Sequence, residues 1–488
     1  MILARRGASG CAASAPIRNR REKQRVEILR KPSHLFVLAA MVFAGLLLVN
    51  TPAWLDETQG RTLAIVIVAL SLWGTNALPG YLTAFLFFLT AILLKVAPPA
   101  TVFSGFASTA MWLSIGGFVI GMAIRSTGLG ASLAAYLGRR LETSYAHLIW
   151  GLLIVCVLLG FIMPSSIGRA VMMVPIGMAL ADRCGFAPGS VGRTGIALAV
   201  AFGCHVPTFA ILPSNVPNMV LIGAADTIYG QHLAYTDYLF LHFPVLGVVK
   251  TVVIGALILW LFPARPELAM TAAEPDKAAS DRKGQVRLAV VLAGALGLWL
   301  TDAWHGISPA WVGLGAACIL LLPRIGLVDG ETFAKETNVG MLFFIAGALG
   351  LGAVVNSTGL GTAIAGQIET WLPLDPGADF VNFLSLAGLS FVTGLGTTLP
   401  GIPAVLTPMA GDLANQTGFV LYTVLMTQVI GFSTILFPYQ SPPLMVGMHL
   451  ANEPVQILLR ITVPLTIITL LVLVPLDFLW WRLLGLFG

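Results

Sequence analysis

Residues 160–176 read GFIMPSSIGRAVMMVPI. An apolar run from 146 to 181 is interrupted at its centre by Met163-Pro164-Ser165-Ser166-Ile167-Gly168-Arg169, where a proline, two hydroxyls and a glycine stop a helix. At membrane depth, irregular backbone is tolerated only where it is buried in protein or lines a polar cavity. The stretch therefore reads as a helical hairpin that enters the membrane and returns. A simple Ser/Gly kink in an ordinary span is the alternative, and it would put the later basic loops on the wrong side. A second run, 380–409, is broken in the same way by Gly394-Leu395-Gly396-Thr397-Thr398-Leu399-Pro400-Gly401-Ile402-Pro403.

The rest of the chain supplies the membrane context. Of 488 residues, 57% are hydrophobic and 10% charged, against roughly 25% charged in a soluble domain. Apolar spans are predicted near 36–52, 62–74, 80–97, 111–124, 193–224, 238–263, 288–304, 309–323, 339–356, 419–448 and 455–486. With the N-terminus inside, inner loops receive Arg125, Arg139, Arg140, Arg183, Arg193, the cluster from Arg265 to Arg287, Arg324, Lys335 and Arg460. The outer side receives only Arg61, Lys95 and Arg482. That asymmetry holds only if both hairpins return to the side they came from. It also accounts for the net charge of +5 without invoking nucleic acid.

Four segments follow: a basic cytoplasmic tail over 1–35, a first membrane half over 36–263, a Pro-bounded cytoplasmic linker over 264–287, and a second membrane half over 288–488. Residues 1–31 carry nine Lys/Arg against Glu22 and Glu27. A disordered tail is the plainer account of them and an organellar transit peptide the alternative. The expected location is the cell (inner) membrane. The five cysteines show no metal-ligand or disulfide spacing.

The halves echo one another. Ala123-Ile124-Arg125-Ser126-Thr127-Gly128-Leu129-Gly130 is matched by Val354-Val355-Asn356-Ser357-Thr358-Gly359-Leu360-Gly361, AVMMVPI at 170–176 by PAVLTPM at 403–409, and SNVPN at 214–218 by QSPPL at 440–444. The order is kept and the separation is nearly constant. The first echo enters its span from outside and the second from inside, so the halves are inverted in the membrane, a build of secondary transporters with substrate near the midplane. The expected fold is thus all-α, an inverted repeat of about eleven transmembrane helices with two hairpins and two broken helices.

Candidate site residues come from the interruptions. Unpaired amides at the start of a returning half-helix favour an anion, which selects Ser165 and Ser166 in the first hairpin and Thr397 and Thr398 in the second. The broken helices contribute Asn215 from Pro213-Ser214-Asn215-Val216-Pro217-Asn218 and Ser441 and Pro442 from Phe437-Pro438-Tyr439-Gln440-Ser441-Pro442-Pro443. Freed carbonyls at such breaks also suit a hard cation. Arg169 either grips a carboxylate or sulfate with its planar fork or snorkels to the headgroups. Lys250, deep inside 238–263, has the same two options. His205 is either a proton carrier or a hydrogen-bonded core residue. No Asp or Glu occurs in the site elements, which argues against a cation substrate and a carboxylate proton relay there. The scattered histidines offer no catalytic constellation, so no enzyme activity is expected.

These motifs resemble those of the divalent anion/sodium symporter family, within the broader ion transporter superfamily, over about residues 36–486. That family carries Ser-Asn-Thr ten residues before a proline in each hairpin. Here Ser165-Ser166-Ile167 precedes Pro175 and Thr398-Leu399-Pro400 precedes Pro408 at that spacing. Ser441-Pro442-Pro443 is similar to the family's Thr-Pro-Pro break. The resemblance implies a homodimer, elevator movement, and transport of a di- or tricarboxylate or of sulfate, with sodium as possible coupling ion near Ser165, Ser166, Gly203 and Thr398. Both motif asparagines are replaced, by Ser166 and Leu399, and both threonines, by Ile167 and Pro400. Arg169 has no place in the motif. A guanidinium near a sodium position implies a carrier less dependent on sodium, either an exchanger or a proton-coupled one. An inorganic oxyanion transporter and a cation antiporter of the same superfamily are the alternatives.

Overall fold

The computed structural model describes residues 32–129, 132, 144–163, 165–265 and 282–487. Residues 1–31 of the expected tail over 1–35, linker residues 266–281, Arg139, Arg140 and Pro164 lie outside these. Every regular element among the described residues is helical. Among them, seven helices are long and apolar enough to cross a membrane, and four shorter apolar helices accompany them. The protein is a multi-pass membrane protein.

In the first half, α1 (Pro32–Val49), α2 (Glu57–Thr75), α3 (Gly80–Leu93) and α4 (Thr109–Thr127) precede a hairpin of α5 (Tyr145–Ile162) and α6 (Ser166–Arg183). A broken helix follows, α7 (Val191–Gly203) and α8 (Val216–Tyr229), and then α9 (Tyr235–Leu261). The second half runs α10 (Arg282–Leu300), α11 (Pro309–Leu321), α12 (Val339–Ser357) and α13 (Leu360–Glu369). Its hairpin is α14 (Asp379–Gly396) with a return arm of α15 (Gly401–Leu406) and α16 (Ala410–Thr417), and its broken helix is α17 (Leu421–Phe432) and α18 (Pro442–Leu450). The chain closes with α19 (Val455–Leu483).

Local chemistry explains the boundaries. Ser108 caps α4 by accepting from the Met111 amide, and Asn338 caps α12 by accepting from the Met341 amide. Both helices then run into a glycine with positive φ, Gly128 at 66° and Gly359 at 70°. The repeated Ser-Thr-Gly-Leu-Gly is therefore a helix stop that only glycine adopts without strain. Several boundaries differ from the sequence expectation: α1 starts at Pro32 inside the expected tail, α2 at Glu57 where 62 was expected, and α10 at Arg282 inside the expected linker. The second return arm continues past 409 to Thr417, because a 3-10 turn at Thr407–Met409 carries the chain through Pro408. The span expected to end at 304 stops at Leu300, and Asp302–His305 forms a separate turn.

Burial sorts the helices into an outer and an inner set. On α1, Leu35, Phe36, Leu38, Met41 and Leu46 are exposed, and α10 exposes Val286 and Val290. Such apolar faces belong against lipid. By contrast, α7 is buried at every position from Thr194 to Gly203. Where helices meet, small residues let backbones close up, the usual device when lipid removes the hydrophobic drive for association. A Cβ on Gly116 of α4 would lie 2.7 Å from the Gly313 carbonyl carbon of α11. A Cβ on Gly431 of α17 would overlap Ser390 of α14, whose hydroxyl donates to the Gln428 carbonyl at 3.0 Å.

Gly431→Ala should therefore lower the thermal midpoint of the detergent-solubilised protein, at a cost of about 1–3 kcal/mol for overpacking. Gly366→Ala, on α13 with nothing within 4 Å of the added Cβ, should leave it unchanged or slightly raised. Equal midpoints for the two variants would contradict the close α14–α17 approach.

Candidate functional site

The first hairpin turns between Ile162 and Ser166. Ser165 caps α6, its hydroxyl accepting from the Gly168 amide at 3.1 Å. One turn later Arg169 points back into the interruptions, wholly buried. Its Nε donates to the Cys204 carbonyl at 2.9 Å, where α7 ends. Nη1 donates to the Met163 carbonyl at the hairpin tip. Nη2 approaches Thr208 Oγ1 at 2.8 Å, Ser166 Oγ at 3.1 Å and the Ser214 carbonyl at 3.3 Å. All five partners are neutral oxygens, so the positive charge is solvated by the break without being neutralised.

The side chains around this guanidinium complete the first break. Ser166 Oγ donates to Asn215 Oδ1, and Asn215 Nδ2 donates to Thr208 Oγ1 at 3.0 Å. Asn218 Nδ2 reaches the carbonyls of Phe209 at 3.1 Å and Ile211 at 2.8 Å. Backbone groups that a continuous helix would pair internally are thus paired by side chains, as burial away from water demands.

The second break is held differently. Gln440 Oε1 accepts from the Leu436 and Phe437 amides at 3.0 and 2.8 Å, while its Nε2 donates to the Gly394 carbonyl of the second hairpin at 2.6 Å. Thr462 and Thr466 of α19 donate to the Leu436 and Ile435 carbonyls at 2.8 and 3.0 Å. Lys250 Nζ donates to the Ser433 carbonyl, at the end of α17, at 2.7 Å. Cys204 and Ser433 occupy the same place in their halves, one residue past the first segment of a broken helix. Each gives its carbonyl to a buried cationic side chain.

Both hairpin tips and both breaks open on one cavity of about 710 Å³. Of the residues expected at the site, Ser165, Ser166, Asn215, Thr398, Ser441 and Pro442 line it. Arg169 stands behind the lining, bonded to the main chain. Thr397 packs against Gly401, and Gly203 packs against Cys156 and Leu153. Helices α6, α8 and α18 each begin at the cavity wall with Ser166, Val216 and Pro442. Their N-termini carry partial positive charge and favour an anion. The charged side chains in the lining are Arg125 and Glu336, paired at 2.7 Å on an exposed rim.

In the cavity wall, Ser441 Oγ has no hydrogen-bond partner among the described residues, and the buried His205 ring lies beside Asn215, the one side chain that acts on it as a hydrogen-bond partner. His205 was legible in the sequence only as a proton carrier or a core residue; its place in the cavity wall comes from the turn at Pro207–Ala210. The rim residues Asn76, Tyr81, Arg125, Glu336 and Asn338 had no signal beyond their helix-end positions, since they lie far from the interruptions in sequence.

The sequence matches the family described as the sodium:sulfate symporter transmembrane region over residues 31–487. A membrane protein of Cupriavidus necator is 27% identical, with 92% of each chain covered. The L-tartrate/succinate antiporter of Escherichia coli K12 is 24% identical over 70% of this chain and 72% of its own. Among solved structures, the YdaH transporter of Alcanivorax borkumensis superposes with a TM-score of 0.55 at 18% identity, covering 93% of this chain and 98% of that one. This likeness concerns the fold.

Arg169→Met should lower the thermal midpoint sharply, because the Met163 and Cys204 carbonyls would each lose a buried partner at about 1–3 kcal/mol. Ser441→Ala removes a hydroxyl that has no protein partner. It should leave the midpoint of the ligand-free protein unchanged while reducing the stabilisation given by a bound anion. Thermal scans with and without succinate check both, and a tolerant Arg169→Met would show the break to be held by something else.

Proposed function

Because the chain belongs to the sodium:sulfate symporter family, a family of anion transporters, we propose that it is a secondary transporter of small dicarboxylates working by exchange. The observation that carries this reading is the cavity shared by both hairpin tips and both breaks, with helix N-termini in its wall and no unpaired acid among its lining residues. Its two sides are alike in kind. Ser166 and Asn215 stand on one, Thr398 and Ser441 on the other, which suits a molecule with a carboxylate at each end. A volume of about 710 Å³ falls in the usual range for small-molecule sites.

Exchange is favoured over sodium symport by what fills the first break. Hard cations take several oxygens at once, and the oxygens there already receive Arg169. Ser166, one of the expected sodium ligands, is among them. Net entry of an anion is opposed by about 2.3 kcal/mol per charge per 100 mV, whereas one-for-one exchange of like-charged anions moves no net charge. The name of the Escherichia coli relative, an L-tartrate/succinate antiporter, is in keeping with this. Movement of the hairpins and broken helices as one body against the outer helices, in an inverted and homodimeric arrangement, is part of the same reading. The repeated order of elements in the two halves supports the internal repeat in this reading.

Proteoliposomes loaded with unlabelled succinate should take up radiolabelled succinate or tartrate at the same rate in sodium as in choline medium. Sulfate in place of external succinate should compete weakly. Uptake that needs a sodium gradient and no internal anion would overturn the exchange reading.

A further inference from the structure

Behind the second break lies a pair of charged groups that the transport reading does not use. Lys250 on α9 and Asp477 on α19 are both buried, and they act on each other electrostatically. Lys250 directs its hydrogen bonds to Ser433, at 2.7 Å to the carbonyl and 3.3 Å to the hydroxyl. Among the described residues no hydrogen bond of normal geometry reaches either oxygen of Asp477, and the Trp481 indole N–H is the one donor that acts on it. A carboxylate fully buried in a membrane helix with so little donation is costly, and such residues are held for a function or kept neutral.

The backbone around the pair is irregular in a matching way. The segment just before Lys250, Phe243–Val249, is π-helical, and so is Thr469–Leu473 just before the turn that carries Asp477. The two π segments pack against each other. Such bulges free carbonyls and concentrate at functional sites. On the same face of α19, Thr462 and Thr466 hold the second break, and Thr469 has an unpartnered hydroxyl. The pair is thus joined to the broken helix that lines the cavity through Ser433 on one side and the threonine row on the other.

We infer that Asp477 is a proton-binding site coupled to anion binding, so that the proton is a second substrate of this carrier. The step is a simple one: a proton from water adds to a carboxylate oxygen of Asp477 and no other bond changes. With Asp477 ionised, its charge offsets that of Lys250. With Asp477 protonated, the ammonium at the Ser433 carbonyl is uncompensated and strengthens the positive potential behind the cavity, which favours the anion. By reciprocity the bound anion favours protonation. Of the titratable groups on helices packed around the pair, Arg193 of α7, Tyr145, His147 and Cys156 of α5, Asp379 of α14, Tyr235, Asp237, Tyr238 and His242 of α9 and Arg460 and Arg482 of α19, none acts electrostatically on Lys250 or Asp477. The His242 ring lies 5.7 Å from that of Trp481.

The inference rests on the exchange reading, and two measurements separate them. In purified full-length protein, infrared difference spectra taken along a titration from acid to alkaline pH should show a protonated-carboxyl band that titrates and is missing in Asp477→Asn. This needs no transport. In proteoliposomes loaded with unlabelled succinate, the membrane potential clamped, lowering the external pH should raise the uptake of labelled succinate at subsaturating concentration, because protonation and anion binding favour each other. Asp477→Asn should lose this pH dependence while succinate counterflow at equal pH persists, showing a folded carrier. A structural pair would shift the melting point and leave the pH response intact. Absence of the titrating band, or a pH dependence of uptake that survives in Asp477→Asn, overturns the proton site. Failure of counterflow in the unmodified protein counts against the exchange reading alone, and the infrared band then decides the proton site.

Discussion

A helix interrupted inside hydrocarbon leaves carbonyls and amides that water cannot reach, and the guanidinium of Arg169 is what makes the first interruption here tolerable. It gathers the tip of one hairpin, the end of α7 and the start of the α8 segment through oxygens of Met163, Cys204, Thr208, Ser214 and Ser166. Without such a donor the carbonyls would be orphaned in a low-dielectric interior. Everything else at the centre of the molecule follows from that condition. The breaks persist because they are paired, and because they persist there is a polar cavity in the membrane.

The second half meets the same condition with other chemistry. Gln440 binds the hairpin carbonyl of Gly394, and Lys250 binds the end of α17. A neutral amide and a distant ammonium thus divide the work that one guanidinium does in the first half. This division leaves the two halves electrically unequal although their helices follow the same order. The first break carries a fixed charge with only neutral neighbours, while the charge at the second has Asp477 beside it. In both halves a cationic side chain of the chain itself meets the place where half-helix carbonyls converge.

The charge balance also bears on what the cavity holds. Its wall offers helix N-termini, hydroxyls and a buried imidazole, and the rim pair Arg125 and Glu336 cancels itself. The positive potential there comes from oriented dipoles and from a cation one layer back, with no guanidinium fork presented to the cavity.

How much of this was written in the chain is clear from particular residues. Apolar runs, Gly/Pro interruptions and the repeated Ser-Thr-Gly-Leu-Gly stops are local properties, and periodicity, backbone sterics and the cost of unpaired amides in lipid suffice to read helices, hairpins and breaks from them. The motif spacing around Ser165 and Thr398 was legible only through the resemblance to the family. The place of Arg169 was not. The sequence reading gave it a ligand or a headgroup, and only the convergence of Cys204, Thr208 and Ser214, brought in from another helix, decided that it faces the main chain. The same holds for Lys250 and Asp477, which are 227 residues apart in the chain and became neighbours only when α9 and α19 packed. Local propensity is set along the chain, whereas the partner of a buried charge is set by which helices meet.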